Sequence, residues 1–427
     1  MLAAGLCACG LFFPTIASDA QGTTGDGGGG GNGTVGGDAT NGLDGSGDGG
    51  VAAKDFSISV SPGYLPLTAS QSASVTVTAH RLGSFTGEVD LFMTPPAYVM
   101  ANSMTIIPAG STTSTFTLTA MPALPASALG DFIVQIAGKD STASETATAL
   151  LTVHLAGLLA TFDTPGDGGA ATFTVPSNVP LIRVKAWGAG GSSGDPNCAP
   201  GCTGGIASGA GGGGGFVLAD VPVVPNETLG VIVGAAGGYG GYGGGASAVL
   251  RGIAGGGTSS TLTIAGGGGG GATWYVNCGC NGGAGGAGGG VQGQGGAVGQ
   301  VPSLNACLPP APGGGGATQT SDGVSYGGAF YVGLGGGGLH DGGAGAPPPG
   351  GACNPGEPGG GGGGSGGTDV HDAGIDVISN VTGSWAVPAN TTDPDYGDAG
   401  AGMGAPACMG TGACATGNAG RIVIFVP

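Results

Sequence analysis

Between residues 56 and 155 the chain alternates apolar and polar positions with a period of two. The runs are FSISV (56–60), SVTVTAH (74–80), GEVDLFM (87–93), TSTFTLTA (113–120), DFIVQIAG (131–138) and TATALLTVHL (146–155). A strand turns successive side chains to opposite faces, so each run predicts a strand with one buried face. Turn residues between the runs predict an antiparallel sandwich over 55–156. His80 and His154 fall inside these patterns with no second ligand nearby, and both are read as structural or exposed rather than metal-binding.

From Leu158 the pattern changes. LLATFDTP (158–165) and ATFTVPSNVPLIRVKAWGAGG (171–191) read as an opening strand pair, and RIVIFV (421–426) as a closing strand beside them. GGFVLADVPV (214–223), ETLGVIVGAAGG (227–238), SAVLRG (247–252), STLTIAGGG (260–268) and YVGLGGGG (331–338) read as further β segments. Runs of Gly separate them, at 211–215, 266–271, 313–316, 335–338 and 359–364. Such runs make poor strands and poor α-helices, because Gly loses the most backbone entropy on ordering. An ordered alternative is a bundle of extended threefold polyglycine helices, which hydrogen-bond laterally where no Cβ intervenes. Opening and closing strands that bracket the region predict one closed unit over 157–427.

Composition supports ordered glycine. Of 427 residues 107 are Gly and only 7% are charged, while 40% are hydrophobic, too apolar for a solvated disordered chain. The 25 acidic residues against 7 basic ones give a net charge of −18. That repels polyanions and disfavours nucleic acid or anionic lipid as a partner, so no nucleic acid is expected.

The N-terminus reads differently again. LAAGLCACGLFFPTIA (2–17) is apolar but short and interrupted by Pro14, so residues 1–20 read as an export signal rather than a membrane span. No basic residues precede it, and Met1 is therefore read as internal to the true start. Two processing schemes fit: lipidation at Cys9 within Leu6-Cys7-Ala8-Cys9, or cleavage after Ser18-Asp19-Ala20. Only the first puts a membrane in contact with the protein, through a lipid. Residues 21–54 have almost nothing to bury and read as a flexible Gly/Asp linker. Within and just beyond it, Asp44, Ser46, Asp48, Gly49, Val51 and Asp55 match the spacing of a helix-loop-helix calcium loop. No helices flank the match and Asp replaces the usual Glu at the last position, so an acidic linker is expected.

The order of blocks FTVP, VKAWGAGG, ETLGVIVG, GGGASAVLR, LTIAGGGGGGATWY, GGAGGAGGG, GGAFYVGLGGGG and GNAGRIVIFV over 158–427 resembles the glycine-rich extracellular domain of the anaplastic lymphoma kinase and leukocyte tyrosine kinase receptors. That family has bacterial and phage-fibre relatives. The resemblance implies a jelly-roll-like β-sandwich with inserted polyglycine helices, used to recognise an extracellular partner. The kinase does not carry over, since no ordered set of nucleotide loop, strand Lys, HRD and DFG exists here. FTGEVDL and PAGSTTSTFTLT in the first unit resemble immunoglobulin-like or fibronectin-like modules of bacterial surface proteins.

Chemistry-bearing residues are sparse. Cys198, Cys202, Cys278, Cys280, Cys307, Cys353, Cys408 and Cys414 make an even set behind an export signal, which favours disulfides. Cys198–Cys202 and Cys408–Cys414 are the expected short bridges, with the other four pairing among themselves. A zinc site would need CxxC pairs or a Cys/His cluster, and neither exists. Glycine this abundant generates GxGxxG by chance, and no GxxxxGK[ST] is present, so no nucleotide or other cofactor is expected. His340-Asp341 and His371-Asp372 lack an adjacent nucleophile motif and read as loop residues, leaving a secreted hydrolase as the weakest alternative. Tyr239, Tyr242, Tyr326 and Trp385 are the candidate recognition residues, because rigid aromatics on Gly-rich loops anchor partners. Trp187, Trp274 and Tyr331 continue strand patterns and read as core. The expected function is a non-enzymatic, exported cell-surface adhesin or recognition module for an extracellular protein or glycan. A self-associating coat or matrix protein is the structural alternative.

Overall fold

A computed structural model of the chain describes residues 56–140, 146–165, 170–195, 207–252, 260–272, 282–289, 292–298, 312–318, 320–325, 333–338, 341–345, 374–397, 400–408 and 414–427. The export signal with Cys9, the Gly/Asp linker and the calcium-loop match at 44–55 lie outside them. The described residues fall within one compact unit, Lys54–Pro427. They are almost entirely β, with one short 3-10 turn at Ala126–Ala128.

Nine strands form the first sandwich-like pair of sheets: β1 (Phe56–Ser61), β2 (Tyr64–Leu67), β3 (Ser72–Arg81), β4 (Val89–Met93), β5 (Val99–Ala101), β6 (Met104–Ile107), β7 (Thr113–Ala120), β8 (Gly130–Asp140) and β9 (Thr146–Leu155). One sheet runs β1-β3-β7-β5 and the other β2-β9-β8-β4-β6. All pairings are antiparallel except β2 with β9. The period-two pattern decides what is buried: Val75 and Val77 of β3 and Phe116 and Leu118 of β7 meet Leu91, Ile136, Leu151 and Val153 of the other sheet in one apolar cluster.

Nine more strands follow: β10 (Gly157–Phe162), β11 (Ala171–Thr174), β12 (Leu181–Trp187), β13 (Phe216–Pro222), β14 (Thr228–Ile232), β15 (Ser247–Arg251), β16 (Ser260–Ala265), β17 (Asp376–Val381) and β18 (Arg421–Val426). They make a five-stranded sheet, β10-β18-β12-β13-β17, and a four-stranded one, β11-β14-β15-β16. The closing strand β18 pairs with both β10 and β12. The supposed opening pair is not a pair. β10 joins β18 in one sheet and β11 joins β14 in the other; Pro176 and Pro180 divide the run read as one strand into β11 and β12, which lie in different sheets. The segment read as YVGLGGGG is likewise not a strand over its described residues, 333–338.

Those glycines do something else. Chain leaving the strands enters non-strand segments at 188–195, 207–215, 234–246, 266–272 and 282–289 that bond to one another chiefly through backbone. The N–H groups of Gly209, Gly212 and Gly215 donate to Ala272, Gly269 and Gly266, at 2.7–3.0 Å. The N–H groups of Ser208, Gly211 and Gly214 donate to Cys408, Ala405 and Gly402. Ala207, Ala210 and Gly213 accept from Gly282, Gly285 and Gly288. Each neighbour is served by every third residue, so three successive residues face three directions. Buried backbone donors and acceptors are thus paired without a β ladder. The packing excludes side chains: a Cβ on Gly212 would lie 2.0 Å from the Gly286 carbonyl oxygen, so no other residue fits there.

The apolar cluster of the first nine strands continues into the second nine through Leu129, Val179, Ile182, Val184 and Ile424. Hydrogen bonds stitch the same junction. The Asn178 amide donates to the Leu129 carbonyl at 2.6 Å, and Asp131 N–H donates to the Asn178 carbonyl at 2.9 Å. His154, expected to be structural or exposed, is buried here, with Nδ1 2.7 Å from Asp131 Oδ1 and Nε2 2.8 Å from the Pro427 oxygen. Tyr64 packs beside it, ring centroids 5.5 Å apart. Partial burial and then the Asp131 carboxylate push the Tyr64 hydroxyl up to about 12. His80 is exposed and pairs with Ser59 Oγ at 2.8 Å.

Candidate functional site

Three of the four candidate aromatics leave the glycine segments on two separate loops. Tyr239 and Tyr242 lie on the turn at 238–243, where Gly240 and Gly241 have φ of 99° and 89°. Those left-handed values strain any residue with a Cβ, which is why glycine interrupts the tyrosines. One buried side chain clamps the turn: Ser192 Oγ accepts from the N–H groups of Gly241 at 3.0 Å and Tyr242 at 2.9 Å, while Ser192 N–H donates to the Tyr242 carbonyl. Both tyrosines remain 53% exposed. The Tyr239 hydroxyl donates to Asp195 Oδ1 at 2.9 Å, and that bond, ahead of burial, raises it above the ordinary tyrosine value.

Trp385 sits on the turn closed by reciprocal bonds between Ser384 and Val387, at 2.8 and 2.9 Å. Its φ of 49° places it in the left-handed region, and it is 47% exposed. Two contacts hold that strained backbone: the N–H donates to Gln294 Oε1 at 3.1 Å, and the carbonyl accepts from Gly213 N–H. The tyrosine turn hangs from 192–193 and 334, the tryptophan turn from 213, 214, 288, 294 and 404, so the two share no hydrogen-bonding partner. Tyr326, the fourth candidate, lies outside the described residues.

Trp187, read as core, is fully buried on the outer side of β12, where it contacts Phe216 and Tyr396 at centroid distances of 4.8 and 6.0 Å. Its Nε1–H donates to the Ala389 carbonyl at 3.2 Å. This second, smaller apolar cluster packs Ala389, Tyr396 and Ala401 over the sheet. Lys185, two residues before Trp187 on β12, reinforces it: Nζ lies 2.8 Å from Asp393 Oδ1 and 2.7 Å from Asp395 Oδ2, and 5.4 Å from the Phe425 ring centre. Burial works to lower this ammonium, but the bonds and charges of the two carboxylates outweigh it and hold the amine above its ordinary value. Sequence reasoning missed Tyr396 and this ion cluster. The only available signal was Asp-Pro-Asp-Tyr (393–396), an acidic turn in a chain with few cations.

Cys408 and Cys414 are bridged, with Cα atoms 5.3 Å apart. Cys408 is also tied to Ser208, whose Oγ accepts from the Cys408 N–H at 3.1 Å. Cys198, Cys202, Cys278, Cys280, Cys307 and Cys353 lie outside the described residues, as do His340, His371, Trp274 and Tyr331. Among the described residues, no group of three or more His, Cys, Asp or Glu could hold a metal ion, and no helix is long and apolar enough to cross a membrane.

No protein-family model matches the chain, and no curated protein matches it. Among solved structures, WR4, a C. elegans MSP family member, is 10% identical with a TM-score of 0.19, over 23% of this chain and 96% of that one. The YadV chaperone is 12% identical with a TM-score of 0.20, over 42% of this chain and 92% of that one. Neither similarity assigns a fold or a function to the chain as a whole.

Proposed function

We propose that the chain is an exported cell-surface adhesin or recognition module, in which an immunoglobulin-like sandwich acts as a spacer and a glycine-rich unit presents aromatic loops to an extracellular protein or glycan. In this reading the glycine-rich unit is a jelly-roll-like sandwich with inserted polyglycine helices, akin to the receptor domain it resembles in sequence. The every-third-residue bonding among 188–195, 207–215, 266–272 and 282–289 supports threefold helices, because that spacing is the repeat of the polyproline II-type backbone.

The observation that carries the functional reading is the pairing of exposure with rigidity. Tyr239, Tyr242 and Trp385 are about half exposed, yet each stands on a turn pinned by backbone bonds to a buried glycine segment. Aromatics held in this way lose little conformational entropy on binding. The test is binding of the purified chain to intact cells and to an immobilised glycan panel, repeated with Tyr239→Ala/Tyr242→Ala and with Trp385→Ala. Binding that falls at least about tenfold in either variant, with unchanged melting, supports the reading. Full binding by both variants overturns the assignment of these residues, and concentration-dependent self-association without cell or glycan binding replaces the adhesin with a matrix protein.

A further inference from the structure

Strand β17 ends the five-stranded sheet and pairs with β13 on one side; among the described residues no strand flanks the other. Asp376, Val377, Ile378 and Val381 are exposed, while Ser379 and Asn380 are half-buried. The register between Leu218 and Ala219 skips Ile378, which bulges from the ladder with 47% of its surface accessible, beside exposed Val377 and Val381. Four other edges are blunted: β2 carries Pro66, β5 is three residues long, and β11 and β6 are four; the edges β1, β10 and β16 are six residues long without Lys or Pro, as β17 is, but β17, with four exposed residues, is the most exposed of these. The bulge in β17 bends the strand, but it aims an isoleucine outward rather than a charge, and DVISNV contains neither Lys nor Pro.

We infer that the outer edge of β17 takes an extended, apolar, lysine- or arginine-bearing polypeptide segment by strand addition. Main-chain pairing would supply affinity, and the Ile378 and Val381 side chains the apolar contact. Charge selects this occupant over a second copy of the chain. The net charge is −18, Asp376 opens the strand, and Arg183, Lys185 and Arg251 are each already committed to carboxylates. Two copies repel, whereas a cationic strand is attracted. This goes beyond the aromatic-loop reading, since it uses a different surface and a different recognition mode.

The experiment titrates the full chain against a fluorescein-labelled synthetic peptide of alternating Thr and Val flanked by lysines, with a glutamate-flanked counterpart, following anisotropy at low and high salt. Saturable binding of the lysine peptide alone, weakened by salt, is expected. Ile378→Lys is expected to weaken it at least about tenfold, a readily measured step in affinity. Leu150→Lys, an even more exposed apolar position on β9, leaves it unchanged. Equal binding by Ile378→Lys, or no difference between the two peptides, overturns the inference; so does self-association abolished by Ile378→Lys, which would assign the edge to a second copy. Cell binding lost in the tyrosine variants but retained in Ile378→Lys keeps the two readings separable.

Discussion

The two halves of the compact unit solve the same problem with opposite materials. In β1–β9 the interior is side chain: Val, Leu, Ile and Phe from two sheets interlock, and the backbone is satisfied by ladders. Beyond β12 and β13 the interior becomes main chain, with segment lying on segment at distances that leave no room for a methyl group. A side-chain core tolerates change because rotamers can shift and neighbours relax. A main-chain core has nothing to shift except the bonds that hold it, so its sensitivity is concentrated in the smallest possible substitutions.

The strongest way to break this comparison is Gly212→Ala. Its Cβ would meet the Gly286 carbonyl at 2.0 Å, and we expect destabilisation beyond about 4 kcal/mol, outside the usual range of single substitutions, with fast amide exchange across 207–215 and 266–272. Leu118→Ala in the first half leaves a cavity in the buried face of β7 and should lower stability by about 3 kcal/mol, read from the denaturant midpoint. If removing three carbons from Leu118 proved more damaging than adding one to Gly212, the two interiors would not differ in kind. Replacing Cys408 and Cys414 by Ser opens a short loop and should reduce stability by about 2 kcal/mol, measurable as a lower melting temperature. Gly63→Ala sharpens the contrast from below: a Cβ there meets nothing within 4 Å, and the change should stay within about 0.5 kcal/mol.

The smallest effect is one of pH, at the junction. The Tyr64 hydroxyl is raised to about 12 in the folded protein, above its ordinary value, so the folded state keeps a proton that the unfolded chain releases first. Its contribution to stability is whole below about pH 10 and declines as pH rises towards 12. Tyr64→Phe should flatten that alkaline decline in unfolding experiments and leave the neutral-pH midpoint nearly unchanged.

What the sequence displayed follows the same division. β7 and β9 coincide with TSTFTLTA and TATALLTVHL, because a side-chain core writes its period into the chain. β2 was invisible: four residues around Pro66 look like a loop, and only an edge position beside β9 accommodates the missing donor. β17 was missed because DVISNV, a mostly exposed edge strand, has no apolar–polar alternation to read. For the glycines, the runs announced that backbone would approach backbone, but nothing could say that Gly212 meets Gly269 and Gly286, since a residue without a side chain encodes no partner. The aromatic candidates were named for their rarity. Their turns, with Ser192 beneath one and Gln294 beneath the other, are products of tertiary packing. His154 belongs to the same class, one of its two partners lying 273 residues away.

The position of β18 sets an order of events. It occupies the slot between β10 and β12, so the five-stranded sheet lacks an interior strand until residues 421–426 have emerged from the ribosome. The strands β1–β9 can pair among themselves as soon as they exist, whereas β12 waits, its apolar edge unfilled, for more than two hundred further residues. Folding of the second half is therefore deferred until β18 has been made, with loop-closure entropy opposing it throughout. A chain truncated just before Arg421 should keep its first sandwich and lose cooperative folding of the rest.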